Sequence, residues 1–335
     1  MPLTQTVGKR TYNYSHCLAY FNAWAAPVDI ALGDEDTLYV VSRGFDIPIG
    51  VFGFKEWVKW DMKEDRNILS AGAYGRQDGQ FVWPASIALD GKGGVFVSDE
   101  HLDRIAVYST DGAFQRQWGT TGAAEGQLAG PAGIRFDADG NLYVVESRNN
   151  RVQKFTKDGD LLASWGEGGA GEGQFSIPYG VHVDAQGDVF VADWGNDRVQ
   201  KFSPDGRFIA QFGVPGEGSG QLRRPTSIAT DRDGDVYIAD WGNNRVQVFD
   251  AGGEVITSFY GDARELSKAA AGQVNANPDL VKARRRADIT QEWTFRRATA
   301  VAVDDQNKIY IMEALSGRVQ AYQKEDDYLE AQFNL

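Results

Sequence analysis

Apolar and polar positions in this chain alternate in short runs. "VQKF" (Val199–Phe202) and "FIAQF" (Phe208–Phe212) put every second side chain on one face, which is a strand period. Turn signals bound the runs. "DAQGD" (Asp184–Asp188) and "SPDGR" (Ser203–Arg207) each carry a Gly that can take positive φ without a Cβ clash. One unit therefore reads as four strands: a from "YGVHVDA", b from "DVFVAD", c from "RVQKF" and d from "RFIAQFG".

The unit recurs. Arg104, Arg151, Arg198 and Arg245 are spaced by 47 residues, as are Gly112, Gly159, Gly206 and Gly253. A further copy, "KIYIMEALSGRVQAYQ", follows after 26 extra residues, and a degenerate one opens the chain with Trp57 in the arginine position. Four-stranded units at this spacing predict a β-propeller, and six units predict six blades closed into a ring. The expected organisation is a single all-β domain over 1–335. Its blades lie at about 27–76, 84–118, 131–166, 178–213, 225–260 and 298–335. Insertions fall at 44–57 and 261–297, the second one helical, and a latch strand lies at about 10–22. The last unit is expected to own its fourth strand, "YLEAQFN" (Tyr328–Asn334), with the latch beside it or replacing part of it.

The string "VADWGNDRVQKFSPDG" (Val191–Gly206) and its copies resemble the NHL-repeat family of propellers, over about residues 27–335. The resemblance implies a six-bladed ring and, most often, a binding surface. It does not imply one activity.

Five units end strand b with an acid and begin strand c with an arginine: Asp99/Arg104, Glu146/Arg151, Asp193/Arg198, Asp240/Arg245 and Glu313/Arg318. The first unit has Ser42 and Trp57 instead, so both partners are lost together. The pairs read as structural, a bidentate brace across the b–c turn.

Function is then expected where the units differ. The b–c turns and d–a connections emerge on one face, so both insertions and the leader converge on it over units 6 and 1. The first insertion carries Phe52 and Phe54, an apolar patch for a partner or packing for the second insertion. The second reads as two helices, "DARELSKAAAGQV" and "NPDLVKARRRADI", the latter opening on a helix-start triplet. It brings Arg284, Arg285, Arg286, Arg296 and Arg297, and Arg223 and Arg224 lie on the same face. In a chain of net charge −13, such a one-sided cluster suits a protein partner or a small anionic ligand. Trp83, Trp194 and Trp241 fall at strand ends near this face, as blade covers or hot spots.

Innermost strands line a tunnel. Four positions after the residue that opens strand a, the units read Ala31, Ala88, Arg135, His182, Ala229 and Ala302. Arg135 and His182, with Asp29 and Tyr179, are candidate tunnel ligands for an anion, or a satisfied polar filling. The leading expectation is a binding or scaffold module acting through the inserted face. The alternative is a lyase or hydrolase at the tunnel mouth under the insertions. Zinc-dependent amidating lyases among the six-bladed propellers use histidines one position after the strand-a proline. Those positions hold Val28, Ala85, Ala132, Tyr179, Thr226 and Thr299. No cofactor is expected, and a metal in the tunnel stays open. Cys17 is the single cysteine, so no internal disulfide forms. The charge disfavours nucleic acid. No apolar run is long enough for a membrane span or a signal core, which gives a cytoplasmic expectation.

Overall fold

The structure, a computed structural model, describes residues 4–8, 10–19, 23–44 and 55–325. Six antiparallel sheets stand around a central axis. Blade 1 runs Pro27–Gly33, Thr37–Ser42, Glu56–Asp61 and Arg66–Ala71, and blades 2 to 5 repeat that order. The six innermost strands touch one another in sequence around the ring, the strand of blade 6 closing onto that of blade 1. Trp57 belongs to strand c of blade 1 and pairs with Val41. Phe52 and Phe54 lie outside the described residues.

Blade 6 departs from the expected plan. Its first three strands are Ala298–Val303, Lys308–Glu313 and Arg318–Glu325. The fourth is β2 (Arg10–Leu18), antiparallel to Arg318–Glu325, and β1 (Thr4–Val7) adds a fifth. The leader therefore supplies the strand that the repeat pattern assigned to "YLEAQFN", which lies outside the described residues. Packing explains the choice: Tyr12, Tyr14, Cys17 and Leu18 are buried, and Tyr12 meets Phe259 of blade 5 edge-on at 5.3 Å.

The core lies between blades, because each sheet has two apolar faces to cover. Phe96 and Ile105 of blade 2 pack on Ile134, Leu142 and Phe155 of blade 3. Leu18, Trp24 and Trp60 join Tyr310 and Met312 at the blade 6–blade 1 seam. Blades 3, 4 and 5 approach most closely through glycine. A Cβ at Gly180 would lie 2.3 Å from the Thr226 carbonyl oxygen, and one at Gly133 2.5 Å from that of Tyr179.

Two polar clamps reinforce the closing seams. Asp65 stands 47 residues before Gly112, where the repeat calls for Gly, and keeps a φ of 51°. Its carboxylate accepts from the Ala19 N–H at 2.6 Å, the Ala269 N–H at 2.7 Å and Trp60 Nε1 at 3.1 Å. It thus ties blade 1 to β2 and to the second insertion. On the other side, Lys324 donates to Asp231, Asp233 and Asp235 of blade 5, at 2.6, 2.6 and 2.9 Å. Arg10 of β2 adds two bonds to Asp235. In blades 3 and 4 the first aspartate of the a–b turn takes a lysine from its own blade, Lys154 or Lys201. Blade 5 has Val248 at that position, and blade 6 supplies the cation across the seam.

The second insertion forms α1 (Lys268–Ala276) and α2 (Pro278–Arg286). Asn277 caps α2 by accepting from the Asp279 N–H at 3.0 Å, with Pro278 in the first turn, as its sequence predicts. α1 starts later than expected, at the Ser267 cap. The preceding N–H groups are already taken: Asp262 donates to Gln320 Oε1 and Ala263 to the Trp293 carbonyl. No described helix is long and apolar enough to cross a membrane.

Candidate functional site

The acid–arginine pairs do hold backbone, in a way that differs from a bidentate brace. Arg151, Arg198, Arg245 and Arg318 each reach their acid through Nε, at 2.6 to 2.9 Å. Their Nη groups donate to carbonyls of the connection leading into the same blade, such as Gly171 and Gln174 for Arg198. The acid accepts from that connection too, as Asp193 does from the Ser176 N–H. The fifth pair is not in contact. Arg104 holds the carbonyls of Arg76, Gln77 and Gln80, while Asp99 accepts from the Val82 and Trp83 N–H groups. Each pair is a staple for the d–a connection.

A cleft of about 540 Å³ lies on the rim of the inserted face. The second insertion roofs it, and β2 and blade 6 form its base. Ala19, Ala263, Leu266, Val274 and Leu280 give it apolar walls. Arg284, Arg296 and Arg318 stand among them. Arg284 bonds Glu292 at 2.7 Å, and Arg318 bonds Glu313 at 2.7 Å and the Glu292 carbonyl. Arg296 is exposed; its backbone N–H donates to Glu313 at 3.0 Å, and its guanidinium has no carboxylate partner among the described residues. Cys17 also lines the cleft; burial pushes its thiol above the ordinary value, so it stays protonated.

The other sequence candidates separate. Arg285 and Arg286 point from α2 into solvent. Arg297 stacks on Trp241 at 4.0 Å and Arg224 on Trp194 at 4.7 Å, while Arg223 pairs with Glu217. Arg224 and Arg297 each give their N–H to the preceding blade's b–c turn, through Asp197 and Asn244. These residues cover blade junctions and present guanidinium edges on the same face.

The tunnel is closed on the inserted face. Tyr179 of blade 4 reaches across the mouth to Arg43 of blade 1, whose guanidinium lies 5.7 Å from the Tyr179 ring and 4.9 Å from Trp83. Burial, partly offset by Arg43, pushes the Tyr179 hydroxyl up to about 12, so it stays protonated. Below it, Arg135 of blade 3 donates to both carboxylate oxygens of Asp29 at 3.1 Å, and to the carbonyls of Ile87 and Ile134. Between these two closures lies a void of about 10 Å³, room for one water at most. The sequence places Arg135 and His182 in one ring, and the structure does too. That ring sits toward the a–b turns, since His182 pairs with Phe190 near the strand b start, whereas Pro178 pairs with Asp193 on the inserted face. His182 bonds Thr230 at 2.9 Å; burial, then the charge of Arg135, lowers it to about 3 and keeps it neutral.

Sequence reasoning missed Arg43 and Glu292, which no repeat position marks. Asp65 was findable as a non-glycine at a repeat glycine. Arg318 was assigned only to its structural pair.

Residues 87–220 match the family described as SMP-30/Gluconolactonase/LRE-like region, and residues 222–249 match the NHL repeat. Comparison with curated proteins gives no match. Among solved structures, a catalytically inactive virginiamycin B lyase from Staphylococcus aureus, with quinupristin, is 13% identical with a TM-score of 0.58. That alignment covers 93% of this chain and 99% of that one. A protein of unknown function from Bacteroides thetaiotaomicron is 17% identical with a TM-score of 0.61, over 95% of this chain and 77% of that one. A chain of a nidogen/laminin complex is 19% identical with a TM-score of 0.54, over 77% and 92%. At these identities the likeness is one of fold, shared by an enzyme and a binding protein alike. The repeat signature, the two family matches and the closed ring agree: the chain is a six-bladed β-propeller whose fifth unit matches the NHL repeat.

Proposed function

We propose that this propeller is a binding module, and that its rim cleft takes a small amphipathic anion, a carboxylate or phosphate on an apolar body. One observation carries the reading: a cleft of about 540 Å³ with apolar walls and three arginines, one of whose guanidinium groups has no carboxylate partner among the described residues. Its volume falls in the range of small-molecule sites. An Arg–carboxylate contact would fix the head group while the walls take the tail. A reacting site at the tunnel mouth of the same face would require Tyr179 to leave Arg43, so the cleft is favoured over the mouth.

The test uses 11-(dansylamino)undecanoate, a carboxylate on a fluorescent apolar tail. Saturable binding is expected, weakened about tenfold or more by Arg296→Glu, as loss of a charge-assisted contact implies. Absence of binding, or unchanged affinity in Arg296→Glu, would sink the reading.

A further inference from the structure

The tunnel opens again on the face opposite the insertions. There a cup of about 250 Å³ is bounded by the ends of the six innermost strands. Its rim is apolar, formed by Leu32, Leu89, Phe136, Val183 and Val303. Ala31 and Ala302 stand half-buried below the rim, with His182 and Arg135 deeper.

Four properties limit what this cup can hold. It is blind, because the Arg135–Asp29 contact and its carbonyl bonds close the floor. It is uncharged: Asp29 neutralises Arg135, and the His182 ring stays neutral at ordinary pH. Its walls are not purely apolar, because each innermost strand has a sheet neighbour on one side only. The inner N–H and C=O groups therefore face the axis and need partners. Arg135, Asp29, Ser86 and Ser227 satisfy those of Ile30, Ile87, Ile134 and Val301, which leaves the strand edges nearer the rim to a guest. Finally, its volume exceeds the roughly 150 Å³ that accommodates benzene in an apolar cavity.

We infer that the cup is a second binding site, for a neutral molecule of aromatic-ring size with one or two hydrogen-bonding groups. The apolar rim covers the ring. The strand edges and the ring nitrogen of His182 not bonded to Thr230 supply the polar contacts. An anion would meet aliphatic side chains and a guanidinium whose charge is already spent on Asp29, so charge brings no gain. The site is separate from the rim cleft and does not depend on it.

5-Fluoroindole is a suitable probe, followed by fluorine NMR on the full-length protein, with 5-fluoroindole-2-carboxylate as its anionic counterpart. A neutral ligand of about ten heavy atoms at ordinary ligand efficiency gives a Kd on the order of 0.1 to 1 mM. Saturation in that range is expected, with at least tenfold weaker binding of the anion. Ala302→Phe fills the cup and should abolish the shift, and Ala31→Leu should weaken it, each with circular dichroism and melting checked. Arg296→Glu should leave it unchanged, which separates this site from the cleft. No saturation by about 3 mM, equal binding of the anion, or full binding in both folded cup variants would overturn the inference.

Discussion

A single aspartate does the work of a hinge pin in this molecule. Asp65 takes the positive φ of a repeat glycine and uses its side chain to hold three separate segments. Asp65→Gly preserves the backbone and deletes only the clamp. It should cost about 2 to 4 kcal/mol, the range for leaving buried donors unpaired. Asp65→Asn keeps one acceptor and should cost less, as read by urea unfolding. Equal stability of wild type and Asp65→Gly would show the clamp to be idle. His182 gives a pH prediction. It is lowered to about 3 in the fold and titrates near 6.5 when unfolded. Between those values the unfolded chain binds the extra proton, so stability falls as pH drops through that window. His182→Gln should flatten the fall by up to one proton, and parallel curves for the two proteins would refute it. Both residues were visible in the sequence as breaks in a repeat column. What they touch was not, because Ala19 and Ala269 lie outside any repeat and reach Asp65 only through ring closure.

At the scale of elements, each blade was legible because its alternation, turns and spacing all agree. The fourth strand of blade 6 was not. Two segments had strand-like alternation, and local pattern cannot choose between them; the buried Tyr12 and Tyr14 against blade 5 and Tyr322 decide it. The second insertion followed its capping signals where its backbone was free, and departed where Asp262 and Ala263 were already bonded. Cross-seam ion pairing belongs to this scale as well. Lys324 is about 4% exposed at its side chain and serves three carboxylates. Burial alone would lower its pKa, and the carboxylates outweigh this and hold it above its ordinary value. Lys324→Met leaves those carboxylates against one another and should cost about 3 to 5 kcal/mol. Lys154→Met, which removes a single partner within one blade, should cost about 1 kcal/mol. Comparable midpoint shifts for the two variants would deny the seam its special weight.

For the whole molecule, closure depends on a strand from one end of the chain completing a blade from the other. Removing residues 1–18 leaves blade 6 with three strands and bares the edge of Arg318–Glu325. The truncated protein should elute ahead of the full chain in size-exclusion chromatography, since an open edge invites pairing between molecules. A monodisperse truncated protein with an unchanged melting point would contradict this. The sector that carries the cleft was legible from where the 47-residue ruler fails. The closed mouth was not, since Tyr179 and Arg43 meet across the ring from blades 4 and 1.

That architecture also sets an order in time. β2 leaves the ribosome before any blade is made, yet its partner strand, Arg318–Glu325, is made some 300 residues later. At roughly 5 to 20 residues per second, the interval is about 15 to 60 s. Throughout it, Tyr12, Tyr14, Cys17 and Leu18 have no sheet to cover them. The nascent chain must therefore carry an adhesive, unsatisfied segment while all six blades are made, which makes this protein a natural client for a holding chaperone that binds β2 and lets go last.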